Sequence, residues 1–245
     1  MTAIRTRGLT KRFGEKTAVD GLDLTVEKGE LFALLGVNGA GKTTAIRMLS
    51  CLSVPTAGEC SICGFSCQSQ QGEVKRRIGL SPQDTAVAEN LTVQENLTFM
   101  AQVYGLDRKA AAQRTEEIIA LMGLGEVVRS RAKTLSGGWK RRLSIAMALI
   151  GRPEVLFLDE PTLGLDVLAR RELWRVIEGL KGRITILLTT HYMEEAERLA
   201  DRIAVMISGR IAACGTLAEL EAATGKTGLE EAFVAIAEGS VQQDA

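Results

Sequence analysis

The chain has 245 residues, 46% of them hydrophobic and 24% charged. That length holds one large α/β domain or two small ones, and the composition excludes disordered, collagenous and disulfide-scaffold proteins. Thirty Lys plus Arg against thirty Asp plus Glu give a formal net charge of zero, which excludes the global basic excess of a general nucleic-acid binder while leaving room for a local basic patch.

Charges or polar clusters interrupt every apolar stretch well before the roughly 20 residues of a membrane span. The opening MTAIRTRGLTKRF is basic but lacks a following apolar block of signal-peptide length, so a cytoplasmic protein is expected. Cys51, Cys60, Cys63, Cys67 and Cys214 are an odd number of cysteines, which favours reduced thiols over a disulfide framework.

In chain order, alternating Leu22, Leu24 and Val26, punctuated by Gly14, Gly21 and Gly29, predict antiparallel strands joined by turns. Leu31 to Leu35 is a continuous apolar run, the mark of a strand buried on both faces, and a glycine-rich loop and a helical pattern follow it. Val155 to Leu158, Ile184 to Leu188 and Ile203 to Ile207 are similar runs. Leu173, Ile177 and Leu180 mark a helix among them. Between Asn90 and Ile150 only helical patterns occur, with breaks near Gly105, Gly123 and Gly125. After Gly215 short amphipathic helices and a frayed polar tail, VQQDA, are expected. The sum is α/β with a largely parallel sheet and a helical insert.

Three motifs carry chemistry. GVNGAGKTT, Gly36 to Thr44, fits the phosphate-binding template G-x-x-x-x-G-K-[ST] and sits between a strand and a helix, as that template requires. Backbone N–H groups of Gly36, Asn38, Gly39, Ala40, Gly41 and Thr44 would turn toward phosphate oxygens at the positive end of the helix. Lys42 would neutralise β/γ charge, and the Thr43 hydroxyl would ligate Mg²⁺. The strand from Val155 delivers Asp159, a candidate Mg²⁺ holder, and Glu160, a candidate general base toward an attacking water. LSGGWKRR is a second anion-binding helix start: Ser136 can cap it, and Gly137 and Gly138 leave backbone donors exposed. Its three basic residues oppose the helix dipole, which a bound phosphate would explain.

The chain resembles the nucleotide-binding subunits of ATP-binding cassette (ABC) transporters over essentially its whole length. Further motifs of that family follow in order: Phe13 for adenine stacking, Gln83 in LSPQD, LSGG with Ser136 and Gly138, Asp166 in LGLD, and His191 in LLTTHYMEEAE. The resemblance implies a P-loop NTPase (RecA-like) core with a mainly parallel sheet, an N-terminal antiparallel β subdomain and an inserted α-helical subdomain. It implies one nucleotide-binding domain over 1–245: core about 1–88 and 151–215, helical subdomain about 89–150, C-terminal extension about 216–245.

It also implies roles. Gln83 would bridge Mg²⁺ or the attacking water to the helical insert, His191 would contact the γ-phosphate and orient water, and Asp166 would lie at a dimer contact while it caps a helix. Ser136 and Gly138 of one subunit would close over ATP held by Lys42 of another, a homodimer or a heterodimer. Separate membrane permease subunits would dock near Gln83 and an apolar cluster of Phe99, Met100, Val103 and Tyr104, placing the chain on the cytoplasmic face of the cell membrane. The position after LSGG departs from the family's usual glutamine: it is Trp139. TVQENLTFMAQVYGL, PTLGLDVLARRELW and THYMEEAERLADRI are similar to the ABC-2 exporter branch, which handles sodium and drugs among other cargoes.

A soluble ABC ATPase acting on a non-membrane partner, as in cluster assembly, is the alternative, because Cys60, Cys63 and Cys67 form C-x₂-C-x₃-C. On a strand, residues 60 and 63 would face opposite sides and chelate poorly. A small-molecule kinase shares the P-loop but leaves LSGG, Gln83 and His191 without a purpose.

Overall fold

A computed structural model of the chain describes residues 1–243, with side-chain surroundings through residue 239. Two sheets form the frame. The first is antiparallel in the order β2-β1-β4-β5, from β1 (Thr2–Phe13), β2 (Lys16–Glu27), β4 (Ala57–Ile62) and β5 (Phe65–Ser66). Alternation decides its faces: Leu22, Leu24 and Val26 of β2 point into the core while their neighbours are exposed.

The second sheet has the order β10-β9-β3-β8-β7-β6. Its strands are β3 (Leu31–Leu35), β6 (Ile78–Ser81), β7 (Val155–Asp159), β8 (Thr185–Thr190), β9 (Arg202–Ile207) and β10 (Arg210–Gly215). All neighbours run parallel except β9 and β10, as expected for strands buried on both faces. Leu31, Ala33 and Leu35 join the core on one face and Phe32 and Leu34 that on the other, so the apolar run at 31–35 feeds two cores. The first core is shared with the helices, the second with the antiparallel sheet.

Helices α1 (Lys42–Leu49) and α2 (Gln71–Arg77) lie in the first half. The stretch expected to be helical contains α3 (Val93–Val103), α4 (Arg108–Leu121) and α5 (Gly137–Leu149), with two short 3₁₀ turns between α4 and α5. Thr92 opens α3 with a full capping box to Glu95, and Asp107 caps α4 through Ala110 N. Next come α6 (Val167–Glu178) and α7 (Met193–Leu199) between core strands, then α8 (Leu217–Thr224) and α9 (Leu229–Gln243). Leu180 lies beyond the end of α6, though it is buried in the same core as Leu173 and Ile177.

Three expectations need correction. Residues 241–243 of the supposed frayed tail continue α9, while 244 and 245 lie outside the described residues. Cys63 is not on a strand with Cys60: it sits in the tight turn after β4 at φ +50°, and Cys67 faces Cys60 across the hairpin, its N–H donating to the Cys60 carbonyl at 2.9 Å. Met100 packs into the core, whereas Phe99 and Val103 are exposed, because α3 turns only one face outward. Among the described residues, no cluster of His, Cys, Asp and Glu is arranged to hold a metal ion by itself, and no helix is long and apolar enough to cross a membrane.

Candidate active site

The site forms at the carboxyl ends of β3, β7 and β8, where parallel strands deliver loops to one edge of the sheet. Leu35 of β3 pairs with Thr190 of β8, and Asp159 of β7 with Thr189, so the residues that follow these strands meet in space although Asp159 and Thr189 are 30 positions apart and Leu35 and Thr190 are 155 apart in sequence. After β3 the chain must turn sharply into α1. Gly41 does so at φ +106°, where a Cβ would also strike the Ala18 carbonyl, and a Cβ at Gly36 would strike the carbonyl of Met206. The first-turn N–H groups of α1 then face outward without intrahelical partners, a concentrated positive end.

Lys42 folds back over this loop and donates from Nζ to the carbonyls of Gly36 at 2.7 Å and Val37 at 3.2 Å. It also pairs with Glu160 Oε1 at 3.1 Å, both side chains being buried. Thr43 Oγ1 donates to Asp159 Oδ1 at 3.1 Å. Glu160 leaves β7 at φ +47°, a left-handed conformation rare outside glycine, and its N–H bonds both the carbonyl and the hydroxyl of Thr189 at 3.1 Å. That hydroxyl in turn donates to Asp159 Oδ1 at 2.6 Å. Glu160 Oε2 meets His191 Nδ1 at 2.8 Å, and the ring of His191 lies 4.1 Å from that of Tyr192.

These groups border a cleft of about 480 Å³ whose walls include Phe13, Asn38, Gly39, Ala40, Gly41, Lys42, Thr43, Thr44, Gln83, Glu160 and His191. Phe13 ends β1 with 56% of its surface exposed, so it does not cap the β-layer. Gly36 and Asp159 lie just behind the wall, in contact with Lys42 and Thr43. Gln83 follows β6, and its loop is gripped from α5: the buried Arg141 donates from Nη1 to the Pro82 carbonyl and from Nη2 to the Gln83 carbonyl, each at 2.6 Å. Burial draws the Arg141 guanidinium below its usual value, while Asp159, Asp84 and Glu195 pull the other way.

The remaining residues lie apart from the cleft. Ser136 caps α5 by accepting the N–H of Trp139 at 3.5 Å, which leaves the start of α5 at the surface. Gly137 and Gly138 approach Leu165 and Ala169, and Asp166 caps α6 through Ala169 N at 2.9 Å. The start of α5 and Asp166 at the start of α6 are thus neighbours, and none of these residues lines the cleft that holds Lys42. Trp139 turns into the chain: its ring packs on the core and lies 4.9 Å from the Arg142 guanidinium, which also bonds Glu172 at 2.7 Å. The substituted side chain therefore serves internal packing.

Pattern reading missed Thr189, which supports both acids, Arg141, which holds the Gln83 loop, and Lys16, Ala18 and Leu163 in the cleft wall. Thr189 and Thr190 did leave a trace, since two hydroxyls ending an apolar strand call for polar partners. The wall residues on β2 leave none, because only the docking of the antiparallel sheet brings them there.

The ABC transporter family model matches residues 19–163. The daunorubicin resistance ATP-binding protein DrrA3 of Streptomyces coeruleorubidus is 45% identical over 91% of this chain and 71% of its own length. The Nod factor export ATP-binding protein I of Burkholderia lata is 44% identical over 83% of this chain and 67% of its own. Among solved structures, the ATP binding subunit of an ABC transporter superposes with a TM-score of 0.85 at 30% identity, covering 96% of this chain and 99% of that one. With a P-loop, two buried acids and a histidine assembled at one cleft, the chain belongs to the ABC transporter family and is one of its ATPases.

Proposed function

We propose that this chain is the ATP-hydrolysing subunit of an exporter, working as a pair with a second nucleotide-binding subunit, most simply another copy, on the cytoplasmic side of separate membrane permeases. The observation that carries the reading is the contact of Glu160 with both Lys42, at 3.1 Å, and His191, at 2.8 Å, at the edge of a cleft sized for a nucleotide. The export sense rests on the names of the resistance and export relatives.

Each residue then has a task. Phe13 stacks on adenine, residues 36–44 cradle the phosphates with backbone N–H groups, and Lys42 neutralises their charge. Thr43 and Asp159 suit Mg²⁺ because they present hard oxygens 3.1 Å apart, with the Gln83 amide at the same cleft. When bound, Mg²⁺ supplies charge neutralisation for the transferring phosphoryl group. Glu160 takes the proton of a water whose oxygen attacks the γ-phosphorus while ADP leaves with the bonding pair, and His191 orients that water. Ser136, Gly137, Gly138 and Asp166 complete the site of the second subunit, which explains why they lie away from Lys42.

In this reading the chain is a single nucleotide-binding domain divided as the motifs suggest, with 89–150 as the moving helical part. The permease docks in the open groove of about 510 Å³ along α3, bordered by Leu91, Phe99, Gln102 and Arg129 and adjoining the exposed Val103. ATP spanning two subunits favours the closed pair, and its cleavage releases them. The test is Glu160→Gln. It should bind ATP, accumulate as a dimer in size-exclusion chromatography with ATP, and lose turnover by about 10² or more; hydrolysis at the parent rate would remove Glu160 from the role of base.

A further inference from the structure

Behind Glu160 and His191 lies a second carboxyl that the reaction above does not use. Glu195, on α7, is fully buried. Its Oε1 accepts a hydrogen bond from Trp174 Nε1 of α6 at 3.0 Å, whereas Oε2 is sealed from water without a well-formed bond of its own. Two buried hydroxyls face this carboxyl. One belongs to Thr162, two residues past Glu160, and its Oγ1 is likewise without a well-formed partner. The other belongs to Thr190, which immediately precedes His191 and whose Oγ1 also accepts the N–H of Tyr192 at 3.0 Å.

An ionised carboxylate offers only acceptors, and sealing one from water beside neutral donors alone, the Trp174 indole N–H and the Thr162 and Thr190 hydroxyls, is costly. A neutral carboxyl carries one O–H, and the lone pairs of Thr162 Oγ1 stand open to it. Burial is the main cause that pushes the Glu195 pKa up; hydrogen bonds from Thr190, Trp174 and Thr162 pull it down, the nearby charge of Glu160 adds to the rise, and the net direction is upward, with Arg141 on α5 a cation that senses the carboxyl.

We propose that Glu195 is a positioning residue for hydrolysis: it ties the segment after Glu160, through Thr162, to the segment bearing His191, through Thr190, and anchors both on Trp174 of α6. The inference rests on the assignment of Glu160 as base and His191 as its partner. Glu160 leaves its strand in a strained conformation, so its alignment with His191 depends on what holds the two segments behind it.

The experiment measures kcat and KM for ATP in the full chain for Glu195→Leu, Glu195→Gln, Thr162→Val and the Glu195→Leu/Thr162→Val pair. Glu195→Leu should lower kcat about 10-fold or more with KM within about 2-fold, because misalignment acts on the chemical step. Glu195→Gln, which keeps an acceptor and an N–H donor, should recover kcat to within about 3-fold of the parent, and the double variant should be no slower than Glu195→Leu alone. The proposal is overturned if Glu195→Leu turns over at the parent rate, or if Glu195→Gln is as slow as Glu195→Leu. Should Glu195→Leu fail to fold, Thr162→Val decides the matter, an unchanged kcat counting against the proposal. Glu160→Gln run alongside separates the two readings: inactive Glu160→Gln with fully active Glu195→Leu rejects only the role of Glu195.

Discussion

Lys42 and Glu160 form a buried ion pair at 3.1 Å, with side-chain exposures of 5% and 6%, and Lys42→Met converts that contact into an uncompensated buried charge. Removing one member of such a pair typically costs about 3–5 kcal/mol. Two features of the site favour the lower end: Glu160 Oε2 keeps its contact with His191 Nδ1 at 2.8 Å, and the cleft admits water to one side of the carboxylate. The expected loss is therefore about 3 kcal/mol, and at roughly 2–4 °C per kcal/mol for a domain of this size the unfolding midpoint should fall by about 6–12 °C. Glu160→Gln in the same chain should restore part of this, because with both charges gone neither is stranded. The coupling between the two substitutions should be about 1–3 kcal/mol. Thermal unfolding of the nucleotide-free protein, followed by circular dichroism at pH 7, measures all four corners of the cycle. A midpoint for Lys42→Met within about 2 °C of the parent, or a double variant whose loss equals the sum of the single losses, would refute the argument that the pair is a buried, mutually dependent contact.

The grip of Arg141 on the Gln83 loop gives another outcome: Arg141→Met removes two charged hydrogen bonds to carbonyls, and although it also removes a desolvated charge, it should cost about 2–3 kcal/mol in urea unfolding and slow hydrolysis more than it weakens nucleotide binding. Glu195 sets a pH dependence with a definite sign. Its folded-state pKa is raised above the ordinary value of 4.5, so folded and unfolded chains are both protonated at lower pH and burial then carries no ionisation penalty. As pH rises through the ordinary value, the unfolded chain releases its proton first and stability falls until the folded-state pKa is passed. Glu195→Gln has no carboxyl to ionise, so its stability relative to the parent, from urea unfolding at a series of pH values, should increase as pH is raised from about 4 toward 7 and should not change if the carboxyl ionises normally.

Much of this protein is written in local pattern. The run at 31–35, the strand ending in Asp159 and the strand before His191 are continuous apolar segments, and a segment buried on both faces must read that way. The phosphate loop is equally legible, because its glycines answer a local steric demand: the backbone passes so close to the carbonyls of Ala18 and Met206 that a side chain has no place. The caps at Thr92, Asp107, Ser136 and Asp166 are local too, each side chain bonding the backbone three residues on.

Tertiary structure alone decided what lies between those segments. The short strands β4, β5 and β6 and helix α2 carry too few periods to announce themselves, and Cys63 fell into a turn that strand alternation could not anticipate. The inward turn of Trp139 onto Arg142 follows from which face of α5 meets the core. Above all, Thr189 under both acids, Arg141 on the Gln83 loop and Glu195 behind His191 are ordinary residues in their own neighbourhoods. The hydrogen bonds that Thr189 makes to the two acids, Arg141 to the Gln83 loop and Glu195 to Trp174 span between 21 and 59 positions of the chain. Periodicity records how a residue meets its own helix or strand; a hydrogen bond across the core depends on the packing of other segments, and no local pattern encodes it.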